Sequence, residues 1–403
     1  MSTAPVARPA TTCCARWTTL ASTWACCSRR SSATGTRSTT RHRCGAATRT
    51  WARWCAGTPT ERFAVTALCP YESPLVERLR ALAAEVVIVP MPDEPPWLSV
   101  QTALALVQSH GFDLIHSHLE NAHLLAGMVG SLSGLPVLAT VHGRRLSMLD
   151  LEVHRAAGTH LNVVCRHSQL HALGIGISAS HLSCIPNGVD TELFSPGPRA
   201  DAGLRRDLGI DGTAPLVGCV GRFSAEKGPE VFVRATLLLR SLLPDAHFVM
   251  VGDGPMREAM QAMGERFGMA GRLHLPGLRG DMAEVYRQLD VLVCPSHSEA
   301  MPLAVMEAMA SALPVVGTRV GGVPDLIEPG RTGRLVAPGD FQGIANRVAH
   351  VFETPGELEA MRQAARARVV ERFNLDDSIA ATARLMTELA ARRARHRVSA
   401  SLR

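Results

Sequence analysis

Lysine is almost absent from this 403-residue chain: Lys227 is the only one, against 41 arginines. Long apolar runs are missing too. None could span a membrane, and the N-terminus lacks the continuous apolar stretch of a secretory signal. No C-x-x-C pair occurs and no Cys/His set has zinc spacing, so the eleven cysteines read as free thiols in a reducing cytoplasm. No DxD-like acidic site stands out for a metal, and none is expected. Acidic residues are missing from the first 60 positions, which hold nine arginines. The rest carries 33 basic and 36 acidic residues, so the body is slightly acidic although the whole chain is +6. The pI of 8.9 therefore gives no argument for a nucleic-acid partner.

Residues 1–60 contain twenty Ser or Thr, four Trp, and only Val6 and Leu20 from the Leu/Ile/Val/Phe group. No helix or strand period survives that composition, so the segment is expected to be irregular or disordered. We read it as out-of-frame translation. Joining each third codon base to the next two turns Trp51–Ala52 into Gly and Trp54–Cys55 into Val. With G or C at most third positions, residues 45–60 can then encode a Gly-Gly turn and an amphipathic helix. A plant-type transit peptide is the rival reading. The frame reading predicts an N-terminal sheet short of a strand, and poor transfer by the chain.

From Phe63 onward short apolar runs alternate with helical patterns. Strands are expected at Phe63–Leu68, Val86–Val89, Asp113–His116, Val137–Val141, Leu161–Cys165 and Leu182–Ile185, with helices such as Pro74–Ala84 and Asn121–Ser133 between them. After the polar stretch Asp190–Gly203, with two Pro and two Gly, a second series follows: Leu216–Val220, His247–Val251, Leu273–Leu275, Val291–Val293, Val315–Val316 and Arg334–Val336. Strand–helix alternation implies parallel sheets covered on both faces. The fold class is α/β, with two doubly wound Rossmann-like domains facing a cleft. The divisions are 61–190, a linker at 191–203, 204–375, and a final helix at 376–395 that could cross back to the first domain.

Three constellations could carry chemistry. Gly221-Arg222-Phe223-Ser224-Ala225-Glu226-Lys227-Gly228 follows a strand directly. Arg222 and Lys227 could both face a diphosphate from that rim, with the helix beyond offering N–H groups to an anion. A surviving lysine in so arginine-rich a chain strengthens this, because an ammonium and a guanidinium are not equivalent at a phosphate. In Glu299-Ala-Met-Pro-Leu-Ala-Val-Met-Glu307, Pro302 reads as the first helical residue. Glu307 is the one charge in Leu303–Leu313, which requires a partner if it is buried; an exposed carboxylate is the alternative. Gly252-Asp253-Gly254-Pro255 lacks the third glycine of a dinucleotide fingerprint and reads as a structural turn. Thr140-Val141-His142-Gly143 and Asn187-Gly188-Val189-Asp190 close strands facing the cleft. A lone histidine at a strand end is more often a hydrogen-bonded structural residue than a catalytic one, and His142, His116 and His118 all fall under that reading.

In this order, from about Phe63 to Leu389, these motifs resemble the retaining glycosyltransferases of GT-B fold, the E-x7-E group (family 4). Leu-Pro-Gly277 and Gly321-Gly322-Val-Pro324 complete the series. The resemblance implies that Arg222 and Lys227 hold the donor diphosphate and that the backbone at Met301, Pro302 and Leu303 caps the distal phosphate. Glu307 would bind the ribose, Glu299 the sugar hydroxyls, and His142 would approach the transferred sugar from the other domain. Two positions depart from the family: Ala300-Met301 stand where Gly and a bulky residue are usual, and Ala312 replaces a Gly.

The implied reaction moves a sugar from a nucleotide diphosphate sugar to an acceptor with retention, without cofactor or metal, Arg222 and Lys227 offsetting the leaving charge. The acceptor would be a glycan, a lipid-linked molecule or a small molecule. The expected place is the cytoplasm, with peripheral contact at the inner face of the membrane left open. A retaining glycosidase is a rival that needs no phosphate site. The alternative is a nucleotide-sugar-binding chain whose transfer is impaired by an incomplete N-terminal domain.

Overall fold

The computed structural model describes residues 24–28, 63–81, 85–92, 95–200 and 203–401, without side chains at 24–28, 355 and 393–401. Two sheets form its frame. The first holds β1 (Trp24–Ser28), β2 (Ala64–Cys69), β3 (Glu85–Ile88), β4 (Leu114–His118), β5 (Val137–Val141), β6 (His160–Val163) and β7 (Leu182–Cys184), in the order β3-β2-β1-β4-β5-β6-β7. The second holds β8 (Leu216–Val220), β9 (His247–Val251), β10 (Leu273–Gly277), β11 (Val291–Cys294), β12 (Val315–Thr318) and β13 (Arg334–Val336), in the order β10-β9-β8-β11-β12-β13. All twelve expected strands are present, most with ends displaced by one or two residues. The helices run Pro74–Ala81 and Glu120–Ser133, close to their expected ranges.

Every pair in the second sheet is parallel. Its strand order reverses between β8 and β11, and that reversal is the reason for the site's location. Crossovers leave in opposite directions from these two neighbours, so the loops after them open a crevice instead of being covered by a helix. Side-chain alternation gives the sheet two buried faces. Val249 and Val251 pack with Val305, Met306 and Met309 on one face. Phe248 and Met250 pack with Phe232, Leu239, Ile344 and Val348 on the other.

The first sheet corrects an expectation. Residues 1–60 were expected to be irregular and the sheet to lack a strand, yet Trp24–Ser28 fills the slot between β2 and β4. It runs antiparallel to both, Trp24 opposite Leu68 and Ser117, whereas the other described pairs in the sheet are parallel. A one-strand gap presents two rows of backbone donors and acceptors that must be satisfied, and five residues can do so in either direction. A doubly wound half places a parallel strand there, so β1 departs from the fold's own rule. The rest of 1–60 lies outside the described residues.

The chain passes between the lobes at two adjoining points. Val189 N donates to Phe373 O at 2.9 Å and accepts, through its carbonyl, from Leu375 N at 3.0 Å. Gly188 makes this crossing possible, since a Cβ there would lie 2.4 Å from Leu375 Cα. The last helix, Leu375–Ser401, then packs Leu385, Met386 and Leu389 against Leu114 and Leu138 of the first sheet. No helix or strand occurs in the described part of 190–203. Arg366 grips this segment, donating to Thr191 O at 3.0 Å and Phe194 O at 2.9 Å, and also to Ala310 O.

Candidate active site

The loop after β8 turns over the loop after β9. Phe223 N donates to Asp253 O at 2.9 Å and Met256 N to Phe223 O at 2.9 Å. The Gly252-Asp-Gly-Pro255 turn therefore supports the Arg222 loop. Gly252 has φ +140°, and a Cβ there would stand 1.9 Å from Gly221 O, so only glycine lets the two turns nest. A short 3-10 turn, Ala225–Lys227, follows, and its Glu226 carbonyl accepts from His297 N at 2.9 Å and Ser298 N at 3.1 Å. The β8 and β11 loops are thus laced together by backbone.

That lacing brings two of the candidate residues into contact. Lys227 Nζ lies 2.8 and 2.9 Å from the two carboxylate oxygens of Glu299, and Ser296 Oγ donates to the first of them at 2.8 Å. Glu299 is buried, while Lys227 stays partly open. Burial works against the lysine's charge, but the Glu299 carboxylate outweighs it and holds the ammonium above its usual value. Arg222 stands in the same loop, half-buried, its charge felt with that of Lys227 at Glu226.

Pro302 is the N-cap of the motif helix, with φ −71° and ψ 115°, and the helix proper is Leu303–Ala310. The expectation that it is the first helical residue is corrected by one position, because its extended ψ lies outside the helical region. Its carbonyl accepts from Met306 N at 3.3 Å, the first bond of the helix, which leaves the amides of the first turn without intrahelical acceptors. Met301 is buried, and its carbonyl accepts from Asn187 of the other lobe at 3.4 Å.

Glu307 sits deeper on the same helix. Tyr286 Oη donates to its Oε2 at 2.8 Å. Burial pushes the carboxyl up to about 7, with the tyrosine hydrogen bond pulling the other way.

From the other lobe come His116 and His118 on β4 and His142 after β5. His118 Nδ1 and His142 Nε2 share a hydrogen bond at 2.9 Å, and His116 Nε2 meets Thr140 Oγ1 at 2.9 Å. Burial, with His142 nearby, pushes His116 down to about 3; burial pushes His142 down to about 4 and holds His118 well below its ordinary value. At neutral pH His142 is an uncharged imidazole, able to hydrogen-bond but not to neutralise a phosphate. Leu119, next to His118, has φ 67° and ψ 158°, a strained geometry for a side-chain-bearing residue.

The lobes meet at the rim of this site. Arg166 N donates to Asp325 Oδ2 at 2.9 Å. Gly321, at φ +50°, lies so close beneath the Glu299 carbonyl that a Cβ would stand 1.6 Å from that oxygen and 3.4 Å from Arg144 Cδ. The structure thus joins Lys227 to Glu299 directly, sets Arg222, Met301 and Pro302 on the two laced loops, and makes Leu303 the first residue of the helix that follows. It places Glu307 below them and His142 across the cleft, paired with His118 and touching none of the other candidates through a described hydrogen bond. Ser296, Tyr286 and Asp325 were not singled out from sequence. For Tyr286 a signal existed in its rarity: it is one of two tyrosines in the chain, against ten phenylalanines.

Residues 202–368 match the family model described as glycosyl transferases group 1, and residues 47–193 match glycosyltransferase family 4. The second match begins inside the 1–60 segment, upstream of the boundary read from composition. The chain is 27% identical to the UDP-Gal:alpha-D-GlcNAc-diphosphoundecaprenol alpha-1,3-galactosyltransferase of Escherichia coli, over 79% of this chain and 87% of that protein. It is 30% identical to the 2-deoxystreptamine glucosyltransferase of Streptomyces kanamyceticus, over 65% and 74%. Among solved structures it resembles Anabaena HepE in complex with UDP-glucose, with a TM-score of 0.75, 21% identity, and coverage of 88% of this chain and 98% of that one. That likeness shows the fold, two doubly wound domains of the GT-B type.

Proposed function

The chain belongs to glycosyltransferase family 4, and from that premise we propose that it transfers a sugar from a nucleoside diphosphate donor to an acceptor hydroxyl with the anomeric configuration retained. The observation that carries the reading is the Lys227–Glu299 pair, beside the N-terminus of the helix that bears the half-buried Glu307, at a strand-order reversal. A lone carboxylate at an anion site would repel a diphosphate, whereas a lysine-paired one leaves cationic donors facing the crevice. On donor binding, the ammonium exchanges one Glu299 oxygen for a phosphate oxygen. The freed carboxylate oxygen then accepts from the sugar hydroxyls.

In this reading Arg222, Lys227 and the amides after Met301 and Pro302, at Leu303 and beyond, hold the diphosphate and stabilise its charge as the bond to the anomeric carbon breaks. Glu307 accepts from the ribose. His142, neutral, hydrogen-bonds the sugar from the opposite lobe. The reading needs no metal, because the leaving charge is met by fixed cations and dipoles. The acceptor named for the E. coli relative is lipid-linked. An acceptor of that chemistry would bring the chain to the inner face of a membrane as a peripheral protein, and no helix among the described residues is long and apolar enough to cross one. The relatives carry transferase names, which weighs against a chain that binds nucleotide sugar without transferring it.

The test is to incubate the protein with UDP-glucose, UDP-galactose and GDP-mannose together with lipid-linked and soluble acceptors. Nucleoside diphosphate release is then followed and the product's anomeric configuration read by NMR. Release that depends on acceptor, with retention, is the expected result. Inverted product overturns the retaining mechanism, and no release with any pair overturns the transferase reading for this chain.

A further inference from the structure

Glu307 is the one charged side chain between Leu303 and Leu313, on a helix otherwise packed into the core. Its described side-chain partner is the Tyr286 hydroxyl, at 2.8 Å from Oε2. No described residue hydrogen-bonds Oε1. Tyr286 is 1% exposed, so its ring is fixed in the core. Phe194 packs edge-on against it, with centroids 5.9 Å apart and planes at 70°. The Phe194 carbonyl is in turn gripped by Arg366, which also donates to Ala310 O at the end of the helix bearing Glu307. One guanidinium therefore ties the tyrosine's packing partner to the glutamate's helix.

We propose that Tyr286 is a positioning residue for the donor's ribose: its hydroxyl fixes one oxygen of Glu307 and aims the other at the ribose hydroxyls. This rests on the assignment of Glu307 to the ribose. A carboxylate carried on three side-chain torsions would sample several rotamers in an open crevice. A single strong, charge-assisted bond to one oxygen removes that freedom and leaves the opposite lone pairs facing outward. Phenylalanine would fill the same volume, so packing alone does not require a tyrosine here. The hydroxyl also favours the ionised carboxylate against the burial that pushes it up to about 7. The other titratable groups around the pair do not compete for this role. The Cys219 and Cys294 thiols on β8 and β11 are pushed upward by burial and stay neutral. Lys227 and Glu299 satisfy each other on the loops above, and Arg366 is committed to backbone carbonyls.

The experiment compares wild type, Tyr286→Phe and Glu307→Gln by calorimetry. The probes are UDP, GDP, their 2′-deoxy and 3′-deoxy analogues, and inorganic pyrophosphate, each between pH 6 and 9. We expect Tyr286→Phe to lower affinity for the preferred ribonucleotide about tenfold and to narrow its preference over the deoxy analogues. Pyrophosphate affinity should be unchanged. The pH at which ribonucleotide affinity is half lost should move upward, because the carboxylate loses the donor that stabilises its charge. A purely structural tyrosine would move pyrophosphate and ribonucleotide affinity together and leave the pH limb in place. If Glu307→Gln abolishes ribose discrimination while Tyr286→Phe matches wild type in ratio and pH limb, the positioning role is refuted and the ribose assignment stands. If wild type shows no ribose preference, or Glu307→Gln keeps it, the ribose assignment fails and this inference with it.

Discussion

Replacing Glu307 by Gln should stabilise the protein above neutral pH while it damages nucleotide recognition. The carboxyl is pushed up from an ordinary 4.5 to about 7 by burial on an apolar helix. A group raised in the folded state contributes stability that is fully present below the unfolded pKa and lost as pH rises through the folded one. The native state therefore weakens between about pH 4.5 and 7 as this carboxyl ionises. A tenfold change in the carboxyl's proton affinity between the unfolded and folded states corresponds to about 1.4 kcal/mol. Glu307 remains partly open to the cleft, and a discount for that leaves about 2–3 kcal/mol at pH 8.5. Glutamine has nearly the same shape and keeps a carbonyl that accepts from Tyr286, but it is never charged. Against wild type, the variant should be equally stable near pH 4.5. At pH 8.5 its unfolding midpoint should lie roughly 5–10 °C higher for a lobe of this size. Calorimetric unfolding across pH 4.5–9, without nucleotide, checks this. A difference between the two proteins that does not change with pH would show that Glu307 is not a destabilised, half-buried acid. The inferred conflict between charge burial and recognition would then be wrong.

Lys227→Ala should weaken nucleoside diphosphate binding about 10- to 100-fold. It should also lower the unfolding midpoint, because it strands the buried Glu299. Adding Glu299→Gln should restore stability but not affinity, as measured by thermal shift and calorimetry. Arg222→Ala should lower affinity with little effect on unfolding; wild-type affinity in both single variants would remove the phosphate assignment. Ala312 sits at φ +55°, where a Cβ is strained, so Ala312→Gly should stabilise the chain by about 1 kcal/mol, readable in denaturant melts. EDTA should leave transfer intact; loss of turnover restored by Mg²⁺ would overturn the metal-free reading.

Much of the frame was legible because local rules fix it. A strand buried on both faces needs an unbroken apolar run, and Gly, Pro or Asx must end it. Val137–Val141, Leu216–Val220, His247–Val251 and Arg334–Val336 accordingly have the limits expected from sequence. The glycine expected in place of Ala312 matches a positive φ that the sequence could only imply. The solitary lysine and the solitary glutamate of an apolar helix marked two candidates by rarity alone.

Other features depend on contacts between residues far apart in the chain. Pro302 moved from the helix to its cap because one ψ angle, set by the loop that must reach the crevice, is invisible in composition. The strand at Trp24–Ser28 has no apolar period of its own. Its place comes from the unsatisfied edges of β2 and β4 on either side, and those edges impose no direction. The sequence by itself determined two alternating α/β series, their joint near residue 190, and the residue types able to hold a diphosphate. Tertiary structure alone decided that Lys227 pairs with Glu299, 72 positions away, because only the strand-order reversal brings β8 beside β11. It likewise decided that Glu307 is held by Tyr286, since hydrogen-bond partners are chosen by packing in space and leave no spacing in the chain to read.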